Sequence, residues 1–197
     1  MNITNTKKII SAVTVVGLFS FVSSAQALVY TFGEKLSGGG PQFADVAQLE
    51  IVNNGGDWTF TMDVSSNLST TFGGGAFVGT MAVDGTKPTS VTTAVNGGVS
   101  AVEAKNGGGP GGIYDFRFDQ GKGQDRLISG ESVTWTGFSM GNVLPTDGGL
   151  ALHVQGTNFS PDSVWYISPI PEPETYAMLL VGLGLVGFAV RGRRTNA

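Results

Sequence analysis

Asp57-Trp58-Thr59-Phe60-Thr61-Met62-Asp63-Val64 decides the fold of this chain. Trp58, Phe60, Met62 and Val64 fall on one side of an extended backbone, and Asp57, Thr59, Thr61 and Asp63 on the other. Successive side chains of a strand point to opposite faces, so a period of two means a strand with one dry face and one wet face. Upstream, Ala47, Leu49 and Ile51 alternate in the same way, with Asn53-Asn54-Gly55-Gly56 between the two runs. Two alternating runs joined by Asn and Gly make a hairpin.

The same period recurs along the chain. Tyr114, Phe116 and Phe118 alternate with Asp115, Arg117 and Asp119; Val133 and Trp135 alternate with Thr134 and Thr136; Leu150, Leu152 and Val154 alternate with Ala151 and His153. Segments 29–32, 76–83, 91–95, 99–104 and 163–167 complete about ten expected strands. Glycine punctuates them: there are 31 in 197 residues, grouped at 38–40, 55–56, 73–75, 97–98 and 107–112. No apolar run of period 3.6 interrupts the pattern. The expectation is an all-β fold, an antiparallel β-sandwich of jelly-roll type, flanked by an N-terminal signal helix and a C-terminal transmembrane helix.

The two ends differ in kind from the middle. Lys7 and Lys8 precede an apolar run from Ile9 to Val22, and Ala25-Gln26-Ala27 supplies the small residues of a leader-peptidase site. Cleavage after Ala27 makes Leu28 the first mature residue. At the other end Pro171-Glu172-Pro173 comes first, then the apolar stretch Tyr176 to Val190, then Arg191, Arg193 and Arg194. Prolines favour an extended chain, and arginines stay on the cytoplasmic side of a span. The domain division is therefore 1–27 signal peptide, 28–168 secreted β domain, and 169–197 tail with a span at about 176–190. As a helix, fifteen residues at about 1.5 Å each reach roughly 22 Å, short of a roughly 30 Å hydrocarbon core.

That tail resembles the PEP-CTERM sorting tail of Gram-negative bacteria, also labelled an ice-binding protein C-terminal domain. The resemblance rests on Pro171-Glu172-Pro173, the glycine-bearing span with Gly182, Gly184 and Gly187, and the terminal arginines. It implies export by the Sec route and signal-peptidase cleavage. The protein is then held in the inner membrane through the tail, and processed near Pro171-Glu172-Pro173 by an exosortase, a transpeptidase-like membrane enzyme. It also implies a host that makes exopolysaccharide. Segments 116–119, 129–133, 152–156 and Trp165-Tyr166 are similar in layout to other secreted domains bearing this tail, which again implies a β fold.

Composition excludes several chemistries. The chain has no cysteine, hence no disulfide framework or thiolate zinc site. Between residues 28 and 170 there are thirteen Asp and Glu against six Lys and Arg, a net of −7, so nucleic acid is not an expected partner. His153, the one histidine, has no G-x-S-x-G partner and reads as a sheet residue. The aspartates of Asp115-Phe116-Arg117-Phe118-Asp119-Gln120-Gly121-Lys122-Gly123-Gln124-Asp125 depart from the EF-hand pattern and read as a solvated hairpin loop. Gly107 to Gly112 lacks the Lys-Ser/Thr of a phosphate loop and reads as a flexible connection. Thr59, Thr61, Thr134 and Thr136 make two Thr-x-Thr pairs of ordinary β-propensity. Trp58, Trp135, Trp165 and Tyr166 read as core.

No catalytic, cofactor or metal residue is assigned. The site residues expected are Ala25 and Ala27 for signal cleavage, Pro171, Glu172 and Pro173 for sorting, and Arg191, Arg193 and Arg194 as the basic stop. The functional expectation is an exported, non-enzymatic surface or extracellular-matrix protein linked to exopolysaccharide or biofilm. The alternative is a secreted carbohydrate-active hydrolase or carbohydrate-binding module, which requires exposed aromatics beside two close carboxylates.

Overall fold

The computed structural model describes residues 27–94, 98–141 and 149–168. The signal segment with Ala25, the span at 176–190, the sorting residues Pro171, Glu172 and Pro173, and the basic stop Arg191, Arg193 and Arg194 lie outside the described residues. No helix among the described residues is long and apolar enough to cross a membrane.

Among the described residues, eleven strands and one short helix run in the order β1 (Ala27–Gly38), β2 (Phe43–Asn53), β3 (Trp58–Val64), α1 (Leu68–Phe72), β4 (Phe77–Val83), β5 (Ser90–Ala94), β6 (Val102–Gly108), β7 (Tyr114–Lys122), β8 (Asp125–Arg126), β9 (Ser132–Phe138), β10 (Leu150–Gln155) and β11 (Ser163–Ile167). The hairpin expected from the opening stretch is β2–β3, with Ile51 opposite Phe60 and Leu49 opposite Met62. Its turn places Gly55 at φ 78° and Gly56 at φ 103°, a region that costs glycine little. Trp58, Phe60, Met62 and Val64 are all buried, as the period of two requires.

The all-β antiparallel expectation holds, and the sandwich is corrected in one respect. The strands form a single continuous sheet, ordered β5-β9-β3-β2-β1-β11-β10-β4-β7-β6, rather than two separate layers. β1 turns the corner between the halves: its register shifts against β2 between Phe32 and Glu34, and against β11 between Lys35 and Ser37. Irregularities of that kind bend a strand and raise its twist. The sheet curls until its outer strands meet, where the Val102 N–H donates to Thr93 Oγ1 at 2.8 Å.

The core fills the inside of the curl, with Phe32, Leu49, Phe60, Met81, Phe116, Phe118, Trp135 and Tyr166 each shielded from solvent. Phe60 stacks on Trp135 at 5.1 Å between ring centres, and Phe118 meets Trp135 edge-on at 5.4 Å. α1, which no period of the sequence announces, plugs one end with Leu68 and Phe72.

Several boundaries differ from expectation, β1 most, running Ala27–Gly38 against an expected 29–32. β6 starts at Val102 rather than residue 99 and takes in glycines 107 and 108. β7 extends to Lys122, so Asp115 and Asp119 belong to a strand and only the turn beyond Lys122 is a loop. The glycine run leading from β6 into β7 is no featureless connection: Pro110–Gly112 forms a tight turn closed by the Gly112 N–H on the Gly109 carbonyl at 3.2 Å, and a Cβ on Gly109, at φ 73°, would lie 2.0 Å from the Tyr114 ring.

Candidate functional site

The outer face of the curl carries two cross-strand ladders made mostly of polar residues, each fixed by strand register. One runs Glu103, Asp119, Thr80, His153, Trp165, Ser37 across β6, β7, β4, β10, β11 and β1. The other runs Thr92, Thr136, Thr59, Val52 across β5, β9, β3 and β2, with Thr134 and Thr61 paired one step along.

In the first ladder His153 and Trp165 lie face to face, 4.2 Å between ring centres and 2° between planes. The strand alternation sends both outward, while Leu152, Val154, Val164 and Tyr166 go in. Burial under the indole pushes the His153 imidazole down to about 4, so the pair is neutral at ordinary pH. Asp119 is clamped: Lys105 Nζ reaches it at 2.7 Å, Arg117 Nε at 2.9 Å and the Thr80 hydroxyl at 3.3 Å. Burial alone would raise its carboxyl, but the hydrogen bonds from Lys105 and Arg117 and their charges win and hold it below the usual carboxylate range. A general acid needs the opposite shift.

The three aspartates of the 115–125 segment do not converge. Asp115 accepts from the Gly85 N–H, Asp119 from Lys105 and Arg117, and Asp125 from the Ser100 backbone and hydroxyl. Glu103, Asp119 and Asp125 do line one small depression with Ser100, Ala101 and Gly121. Among the described residues no three His, Asp or Glu side chains are grouped to hold a metal ion.

The second ladder joins the two Thr-x-Thr pairs that the sequence leaves apart. Thr59 and Thr136 hydroxyls lie 3.3 Å apart, and those of Thr61 and Thr134 3.2 Å apart. These hydroxyls satisfy one another, which is cross-strand stabilisation. Of the four aromatics read as core, Trp58, Trp135 and Tyr166 are buried and Trp165 is only half-buried. Nothing in the sequence pairs Trp165 with His153; only the β10–β11 register does.

Both addresses join the sheet at β1 and β11. Ala27, the expected cleavage residue, is the first residue of β1 and pairs with Val52. β11 ends at Ile167, and Ser168, 3% exposed, is the last described residue before the tail. Residues 169–194 match the family model of the PEP-CTERM protein-sorting motif. The chain carries a PEP-CTERM sorting signal. The matched span contains Pro171, Glu172 and Pro173 near one end and Arg191, Arg193 and Arg194 at the other. This motif marks a protein sorted by an exosortase, with export and a membrane-held signal implied. No curated protein and no solved structure matches the chain.

Proposed function

We propose that this PEP-CTERM protein is an exported, non-enzymatic surface or matrix component. Its β domain, residues 28–168, passes the inner membrane by the Sec route and loses its signal peptide after Ala27. The tail then holds it at the membrane until an exosortase-type transpeptidase acts near Pro171-Glu172-Pro173. It ends at the cell surface or outside the cell, in contact with exopolysaccharide or biofilm matrix. The observation that carries this reading is the sorting motif beginning at residue 169, directly after the buried Ser168 that follows the end of β11. Lys7 and Lys8 before the first apolar run, and Arg191 to Arg194 after the second, favour an outward domain with both ends inside. The clamped, acid-shifted Asp119 supports a structural use of the carboxylates rather than proton transfer.

The position of Ala27 adds an order of events. A peptidase needs extended, unpaired backbone, and Ala27 is paired with Val52 once β1 and β2 have met. Signal cleavage therefore precedes the docking of β1. Mass spectrometry of the mature chain tests the whole route. A new C-terminus near residues 171–173 is expected only in cells that contain the sorting enzyme, and an intact C-terminus there would refute it.

A carbohydrate-binding reading has one observation in its favour, the neutral, half-buried Trp165–His153 pair on an outer face beside Thr80 and Asp119. Indole stacking against the faces of sugar rings is its chemistry. Titrating the protein with the host's exopolysaccharide while following tryptophan fluorescence separates the cases. A response abolished by Trp165→Ala assigns the face to the polymer.

A further inference from the structure

β1 and β11 are antiparallel neighbours, with Gly38 opposite Val164 and Glu34 opposite Ile167. One strand of such a pair starts where the other ends, so the chain enters β1 and leaves β11 by the same end of the sheet. β11 stops opposite Glu34, yet β1 continues six residues back to Leu28, the proposed first residue of the mature chain. At about 3.4 Å per residue that is roughly 20 Å of strand. Along this length β1 is paired with β2 on one side and, among the described residues, with no strand on the other. A free strand edge is a template for another chain. Apolar groups accompany it: Val29 is 48% exposed, and Phe43, 73% exposed, lines a shallow groove with Thr31, Gly33, Glu34 and Asp45.

The sorting motif starts beside this edge. Pro171 is three residues beyond Ser168 in sequence, and a chain reaches at most about 3.6 Å per residue, so chain length alone keeps the processing point no more than about 11 Å from Ser168. A folded enzyme is wider than that: even 100 residues have a radius of gyration of about 13 Å. Any enzyme that closes on residues 171–173 must therefore rest against the surface around Ser168.

The geometry points to the free edge of β1, from Leu28 to Gly33, with the Phe43 groove, as a docking surface for the membrane enzyme that processes the tail. The partner's chemistry follows from the surface: exposed backbone N–H and C=O to pair with the edge, apolar side chains for Val29 and Phe43, and a basic group for Glu34. This rests on the sorting reading above and adds that the folded domain is part of what the enzyme recognises.

The test uses the full-length precursor in membranes of its own host. Val29→Lys with Phe43→Lys changes exposed positions only, and circular dichroism checks that the fold is kept. The expected result is processing slowed about fivefold or more. Ten Gly and Ser residues inserted between Ser168 and Pro169 should make the rate indifferent to the two lysines. Because the chain has no cysteine, Val29→Cys carries a single photo-crosslinker, and the expected adduct is to the sorting enzyme. An unchanged rate in the double variant, or an adduct only to a second copy or to the chain's own tail, overturns the proposal. Alanine at 171, 172 and 173 is the separate control: if processing survives it, the sorting reading falls whatever the edge does.

Discussion

Phe60 on β3 and Phe118 on β7 stand six strands apart in the sheet order, yet their ring centres are 5.2 Å apart. On a flat sheet six strand spacings of about 4.8 Å would separate them by about 29 Å. Their contact is the direct measure of how far the sheet curls. Phe60→Ala should therefore cost about 3–5 kcal/mol, since it empties a site shared by two distant parts of the sheet. Thr61→Ala, on the outer face, loses one hydroxyl contact to Thr134 and should cost no more than about 1 kcal/mol. Urea titration of both variants checks this, and equal midpoint losses would contradict the inside-outside assignment.

His153 gives the protein a defined acid weakness. Its register neighbours, Thr80 and Trp165, carry no charge, and the nearest carboxylate along the ladder, Asp119, is engaged by Lys105 and Arg117. The folded imidazole stays neutral down to about 4, whereas an unfolded histidine takes its proton near 6.5. Between those values the unfolded chain binds more protons, so stability falls as pH drops through the window and is flat with respect to this group above it. The slope approaches about 1.4 kcal/mol per pH unit. Asp119, held low in the folded state, also loses its contribution as pH falls through its folded value, but equally in parent and variant. His153→Gln should therefore narrow the stability gap between pH 7.5 and pH 4.5. The imidazole C2–H resonance, unique in this chain, should titrate near 4; a midpoint near 6.5 would mean the ring is solvated.

Gln120 is a polar side chain buried inside the curl. It is 1% exposed, and neither its Oε1 nor its Nε2 has a hydrogen-bond partner among the described residues. An unsatisfied buried polar group costs about 1–3 kcal/mol. Methionine fills a similar volume without the polar atoms. Gln120→Met should accordingly raise stability by about 1–2 kcal/mol, seen as a urea midpoint about 0.5–1 M higher. A lower midpoint would show that the amide is satisfied in solution.

Local periodicity carried the strands and their faces, because alternation is a property of neighbours in sequence. Trp58, Phe60, Met62 and Val64 could be assigned inward from eight residues alone. The single curled sheet was not legible in that way. It depends on β1 meeting β11, 130 or so residues away, and on two irregularities in β1, of which only the first has a local mark: Gly33, where a Cβ would run into the Ala44 carbonyl oxygen. The same holds for the outer face. The Thr59–Thr136 and His153–Trp165 contacts arise from register between strands, so the threonines looked like isolated pairs and Trp165 looked like core. The tail was legible for the opposite reason: its information lies in the order of Pro171-Glu172-Pro173, an apolar run and arginines, and needs no tertiary contact.

That independence gives the sharpest functional prediction. Residues 171–173 follow the last strand, whose closing pairs are Ile167 with Glu34 and with Ala151, so replacing Pro171, Glu172 and Pro173 by alanine touches no described contact of the sheet. Folding and export should be unchanged. Processing should stop, because the substituted positions lie in the matched sorting motif while the apolar stretch and arginines remain. The uncleaved chain should then accumulate in the inner-membrane fraction, detected at full mass. A fifteen-residue apolar stretch is short for a permanent anchor, so slow loss of intact chain into the periplasm is also expected over time. That loss differs from maturation, because the released species keeps Arg191 to Arg194. Were the altered protein matured and released as fast as the parent, the tail would be a plain anchor with a proline-rich stalk, and the sorting route would fail.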